Sequence, residues 1–118
     1  MATPEGKVKA RVRELLSRYA GIYVYMPVPT GFGRTTLDFL GCYRGQFFCV
    51  ETKSEGKKPT LRQMKELEYI AKAMGRTFVI SGTDSPVLDE LRTWLDDLTR
   101  TVPYASLVPI DPTNRRPI

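Results

Sequence analysis

The apolar positions along this chain change period several times, and each change marks an element. Val8, Val12, Leu15, Leu16 and Tyr19 recur at helical spacing, with Lys7, Lys9, Arg11, Arg13, Glu14 and Arg18 off that stripe. Thr3-Pro4-Glu5 supplies an N-cap, a proline for the first helical position and an acid for the first turn, and Ala20-Gly21 ends the helix. Ile22-Tyr23-Val24-Tyr25-Met26 reads as a short strand stopped by Pro27 and Pro29. Two further strands, Leu37 to Tyr43 and Gln46 to Lys53, flank Arg44-Gly45 as a hairpin, with Gly45 supplying a positive φ. A second helix opens at Thr60-Leu61-Arg62-Gln63, a capping box, and carries Gln63, Leu67, Ile70 and Met74 in phase before Gly75 ends it. Arg76 to Ser81 is a fourth strand. A strand, crossover helix and strand form a right-handed unit, so this strand should lie parallel to Gln46–Lys53. Asp84-Ser85-Pro86 caps a last helix with Val87, Leu88, Leu91, Trp94, Leu95 and Leu98 on one face.

The hairpin register places charge where it is costly. A two-residue turn at Arg44-Gly45 pairs Tyr43 with Gln46, Cys42 with Phe47 and Leu40 with Cys49, and so sets Asp38 opposite Glu51. Strand alternation puts Lys53 on the face of Glu51, with Val50 and Phe48 turned away. Opposed residues have Cβ atoms about 5 Å apart, and two carboxylates at that separation repel by roughly 3 kcal/mol at an effective dielectric near 20. A divalent cation bridging both carboxylates relieves the repulsion, with Lys53 adding positive charge beside it. A solvated sheet face on which Lys53 simply pairs with Glu51 is the plainer alternative. Glu5 extends the inward stripe of the first helix, either as a third carboxylate aimed at the cation or as an acid complementing the helix dipole. Gln63 has a sufficient role in the capping box, and its phase also lets it face inward near the end of the Glu51 strand.

Composition narrows the chemistry. With 118 residues and 42% hydrophobic content the chain makes one folded domain, and no apolar run is long enough for a membrane span. The start, Met1-Ala2-Thr3-Pro4-Glu5, has no signal-peptide core, so a cytoplasmic location is expected. Cys42 and Cys49 read as small buried hydrophobes. The chain contains no histidine, which excludes Ser-His-Asp and Cys-His triads and histidine-based metal sites. Hydrolytic chemistry here must use carboxylates, lysine and an oxygen-liganded metal. Eighteen Lys plus Arg against thirteen acids, a net charge of +5, suit a polyanionic partner. Arg34 in the loop Thr30 to Thr36 could grip a backbone phosphate while Phe32 stacks on a base, and Lys57-Lys58 would attract phosphate beside the carboxylates. Gly31-Phe32-Gly33 lacks both the Walker and the dinucleotide glycine spacing, so no nucleotide cofactor is expected. Residues 101–118, with Pro103, Pro109, Pro112, Pro117 and Arg115-Arg116, read as a tail outside a domain of residues 1–100.

The order helix, strand, strand, strand, helix, strand, helix, with an acid in the first helix, Leu37-Asp38-Phe39, Val50-Glu51-Thr52-Lys53 and Thr60 to Gln63, resembles the PD-(D/E)XK nuclease superfamily. Within it the chain is similar to the small stand-alone VRR-NUC proteins of phages. The resemblance covers Thr3 to Ser81, and it departs from the superfamily's name at Leu37, where a proline would stand. It implies an α/β, restriction-endonuclease-like αβββαβ core, a mixed sheet flanked by helices, followed here by a C-terminal helix and an extended tail. It further implies that Asp38, Glu51 and the Thr52 carbonyl bind Mg²⁺ or Mn²⁺ together with Glu5, that Lys53 is the catalytic lysine and that Gln63 is the helix-borne glutamine. The activity implied is metal-dependent DNA endonuclease cleavage, selective for flaps or junctions, since no sequence-reading module is visible. A homodimer is implied as well, using the last helix or the tail, in the host cytoplasm if phage-encoded. The alternative is a catalytically silent nucleic-acid-binding module of the same fold; a purely structural adaptor leaves the opposed carboxylates without a purpose.

Overall fold

A computed structural model describes residues 2–28 and 36–103 of the chain. Phe32 and Arg34 of the loop before the hairpin, and the tail beyond Pro103, lie outside these residues. The elements follow the expected order: α1 (Pro4–Leu16), β1 (Tyr23–Tyr25), β2 (Phe39–Tyr43), β3 (Gln46–Lys53), α2 (Leu61–Lys72), β4 (Arg76–Ser81) and α3 (Pro86–Thr101).

Thr3 caps α1, its Oγ1 accepting the Gly6 N–H at 3.0 Å, and Val8, Val12, Leu15 and Leu16 are buried. The helix ends at Leu16, earlier than Ala20-Gly21. Ser17 donates its hydroxyl to the Glu14 carbonyl at 2.6 Å, a local bond that competes with helix continuation. Tyr19 therefore leaves the helical stripe, and its hydroxyl donates to Asp96 Oδ1 of α3 at 2.7 Å.

The four strands form one sheet in the order β1-β2-β3-β4, antiparallel up to β3 and parallel between β3 and β4. The hairpin register is the expected one, with Tyr43 opposite Gln46 and Leu40 opposite Cys49. Its turn uses positive φ at both central residues, Arg44 at 51° and Gly45 at 83°, the combination whose twist matches the flanking strands. Strand β2 begins at Phe39, one residue after Asp38, because Asp38 makes its bonds to β3 through side chains.

One sheet face carries Phe39, Tyr43, Phe48, Val50, Phe78 and Ile80, which pack with the α1 stripe and with Leu91 and Leu95 of α3 into the core. Each fully buried aliphatic side chain there contributes about 1.5–3 kcal/mol relative to exposure. Trp94 of α3 packs edge-on with Phe48 and at a tilt with Phe78, at ring-centroid separations of 5.6 and 5.5 Å, and the Tyr43 hydroxyl bonds Thr99 Oγ1 at 2.7 Å. The last helix is thus committed to the core, and its outward charges pair along its own surface, Arg92 with Asp89 and Arg100 with Asp97.

The other face carries Cys49 and Glu51, both fully covered, beside α2, which crosses β3 and β4 without a fully buried residue of its own. Both cysteines are free thiols; Cys49 is buried as expected, Cys42 only half-buried, and burial pushes the pKa of the Cys49 thiol up to about 12. Among the described residues no helix is long and apolar enough to cross a membrane.

Candidate active site

The open end of the hairpin, away from its turn, is closed by side chains instead of ladder bonds. The Asp38 N–H donates to Glu51 Oε1 at 3.1 Å. In return the Thr52 N–H and hydroxyl both donate to Asp38 Oδ2, at 2.9 and 2.5 Å. Each carboxylate is therefore anchored through one oxygen and meets a lysine through the other. Lys53 Nζ lies 3.4 Å from Glu51 Oε2, and Lys9 Nζ of α1 lies 3.3 Å from Asp38 Oδ1.

Burial decides what this arrangement does. Glu51 is 2% exposed, and the Lys53 and Asp38 side chains are 14% and 19% exposed, so the face is not a solvated one, although Lys53 does pair with Glu51 as the plainer alternative had it. Loss of water is the main reason that the Glu51 carboxyl is raised from 4.5 to about 7; the neighbouring Asp38 charge pushes the same way, and Lys53 pulls it back. The paired acids form a compact group of hard oxygen donors matched by two ammonium groups.

The other expected site residues take no part in the hydrogen bonds and ion pairs that hold this pair. Glu5 is exposed in the first turn of α1, where its charge complements the helix N-terminus, and among the described residues no three His, Cys, Asp or Glu side chains come close enough to hold a metal ion together. The third carboxylate expected from the helical stripe is thus absent from the cluster. The stripe turns inward only from Val8, a full turn beyond the capped end. Gln63 is half-buried and completes the capping box, its Oε1 accepting the Thr60 N–H at 2.9 Å. Lys57 and Lys58 are exposed on the loop after β3, whose backbone is tied down by the Ser81 hydroxyl donating to the Ser54 and Lys57 carbonyls at 3.0 and 3.2 Å. Arg34 lies outside the described residues.

No protein-family model matches the chain, and no curated protein matches it. A solved structure described as a VRR_NUC domain does: it is 26% identical, aligns over 85% of this chain and 98% of its own length, and superposes with a TM-score of 0.58. This chain shares the fold of a VRR_NUC domain. VRR-NUC domains belong to the PD-(D/E)XK nuclease superfamily, so the resemblance carried by Asp38, Glu51-Thr52-Lys53 and Gln63 extends to the whole architecture, a mixed sheet flanked by helices. In this VRR_NUC-like frame Lys9 is the site neighbour that sequence reasoning missed. It sits off the apolar stripe, and only the packing of α1 against the hairpin brings it to Asp38. Its position three residues before Val12, at the margin of the buried stripe, is the one local signal that it could reach inward.

Proposed function

We propose that this protein is a divalent-metal-dependent DNA endonuclease, selective for branched substrates such as flaps or junctions, and that it works as a homodimer. The observation that carries the reading is the carboxylate pair, Asp38 and Glu51, set across the open end of the hairpin with Lys53 against Glu51, inside a VRR_NUC fold.

The donor set suits a hard cation such as Mg²⁺ or Mn²⁺. Asp38 Oδ1 and Glu51 Oε2 are the oxygens left to cationic partners, and both belong to carboxylates. The N–H and C=O of one strand residue point to the same side, so Thr52, whose N–H reaches Asp38, turns its carbonyl toward the pair as a third oxygen. A cation held there supplies Lewis-acid polarisation of the phosphodiester and an acidified water.

The chain's own groups do the positioning. Thr52 fixes Asp38 so that Oδ1 stays turned to the site, and the Asp38 backbone fixes Glu51 likewise. Lys53, held with little freedom, neutralises charge developing on phosphorus and orients the attacking water in line with the leaving group. Gln63 stands at the start of α2 as a second orienting group for that water, while Lys57, Lys58 and Arg34 engage flanking phosphates.

Cleavage of labelled duplex, flap and four-way-junction DNA with Mg²⁺, Mn²⁺ or EDTA tests the reading. Cutting should require metal, favour a branched substrate and fall at least 100-fold in Lys53→Ala, on the scale of losing one preorganised electrostatic group. DNA binding that ignores EDTA, with no cutting of any substrate, would instead establish the silent binding module. Light scattering should give twice the chain mass; a monomer that cuts junctions symmetrically removes the dimer.

A further inference from the structure

The ion pair between Lys9 and Asp38 has no part in the mechanism above. Its geometry is specific. Two Thr52 donors hold Asp38 Oδ2, so the carboxylate cannot rotate freely, and Oδ1 is the oxygen it has to offer a cation. Lys9 Nζ sits on that oxygen at 3.3 Å.

The two lysines also differ in freedom. The Lys53 side chain is 14% exposed and lies inside the site, whereas the Lys9 side chain is 37% exposed and can swing aside without burying an unpaired charge. Charge accounting gives the swing a reason. With both carboxylates ionised, two carboxylates and two ammonium groups cancel, so the site is electrically balanced with no metal present; an arriving divalent cation leaves it with two positive charges in surplus, and Lys9 is the more exposed of the two lysines that carry them. The anionic phosphate of the substrate is where a surplus ammonium group is best placed.

We propose that Lys9 is the resident counter-cation of this site: it neutralises Asp38 in the metal-free protein, yields Asp38 Oδ1 to a divalent cation, and then contacts a non-bridging oxygen of the substrate phosphate. This rests on the metal-dependent nuclease reading. It adds a second lysine, brought by α1, which tunes metal affinity and substrate grip together.

Calorimetric titration with Mn²⁺ alone, without DNA, is the first test. Lys9→Met should bind Mn²⁺ about tenfold more tightly than the unmodified protein, because a competing and repelling charge is gone. Lys9→Arg, which keeps the charge, should stay close to it. Lys7→Met removes the same unit of charge from an exposed position on α1 and should change nothing. Lys9→Gln repeats the measurement with a polar side chain should methionine disturb folding. The second test is affinity for a labelled branched duplex in Ca²⁺, where Lys9→Met should bind more weakly and lose about one unit of salt-dependence slope. Unchanged or weaker Mn²⁺ binding by both Lys9→Met and Lys9→Gln overturns the proposal and leaves the nuclease reading standing. Unchanged DNA affinity overturns the phosphate contact. Failure of every form, unmodified protein included, to bind Mn²⁺ overturns the metal site and this proposal with it.

Discussion

Glu51 is a buried carboxylate beside a second one, and the consequences are measurable without any substrate. Burial and the Asp38 charge hold its carboxyl at about 7 against the usual 4.5, so the folded protein keeps a proton there that the unfolded chain has released. The folded state binds more protons than the unfolded state between these two values, so stability falls as pH rises from about 4.5 to about 7, then levels off. Glu51→Gln, neutral at every pH, should remove this slope and leave the chelated protein more stable than the unmodified one at pH 8, while abolishing cleavage. Thermal melts in EDTA at pH 5.5 and pH 8 check it. An identical pH slope in both proteins would show that Glu51 does not carry the charge cost ascribed to it. The same burial separates this acid from Glu5, which sits in solvent at a helix start and has no such cost to relieve.

At the level of elements, the end of α2 shows how a residue's conformation can defy its type. The helix stops at Lys72, and Met74, 89% exposed, takes the left-handed conformation at φ 72° while Gly75 does not. Gly75 is needed for another reason: a Cβ there would lie 2.7 Å from Ile70 Cγ2 and 3.0 Å from Phe47 Cδ2. Met74→Gly should therefore stabilise the protein by about 1 kcal/mol, and Gly75→Ala should destabilise it by about 1–3 kcal/mol. Urea denaturation of the two variants measures both, and the opposite ordering would sink the argument. This junction also marks the limit of what the sequence makes legible. Arg44-Gly45 announces a two-residue turn, and strand alternation then carries Asp38 opposite Glu51 and Lys53 onto the same face, all found as expected. The crossover through α2 likewise makes β4 parallel to β3. These features are local or follow from chain geometry. Ser17 was not legible as a helix end because Tyr19 keeps the helical phase, and the start of β2 was hidden because Asp38 replaces ladder bonds with side-chain ones. Lys9 is the extreme case: its contact with Asp38 is created by the packing of α1 against the hairpin, at which its place on the margin of the buried stripe only hints.

For the molecule as a whole, the core and the candidate site are built from different interactions, and this separation predicts how metal and stability are linked. The core lies between the sheet and the pair α1 and α3, and its side chains are apolar. The site at the open end of the hairpin is held by hydrogen bonds and ion pairs among Asp38, Glu51, Thr52, Lys53 and Lys9. Removing a cation from that end leaves the core intact and the carboxylates compensated by the two lysines, so EDTA should not unfold the protein. Adding Mn²⁺ at about 100 times its dissociation constant should stabilise the folded state by about 2.7 kcal/mol, raising the melting temperature by of order 10 °C for a domain of this size. The shift belongs to pH 8. At pH 5.5 Glu51 holds its proton, the cation must displace it, and the shift should shrink. Asp38→Ala should lose the shift at both pH values while keeping a cooperative transition, because it removes one of the proposed ligands without opening the core. Cooperative unfolding by EDTA alone would make the metal structural, and an undiminished shift in Asp38→Ala would place the cation elsewhere on the molecule.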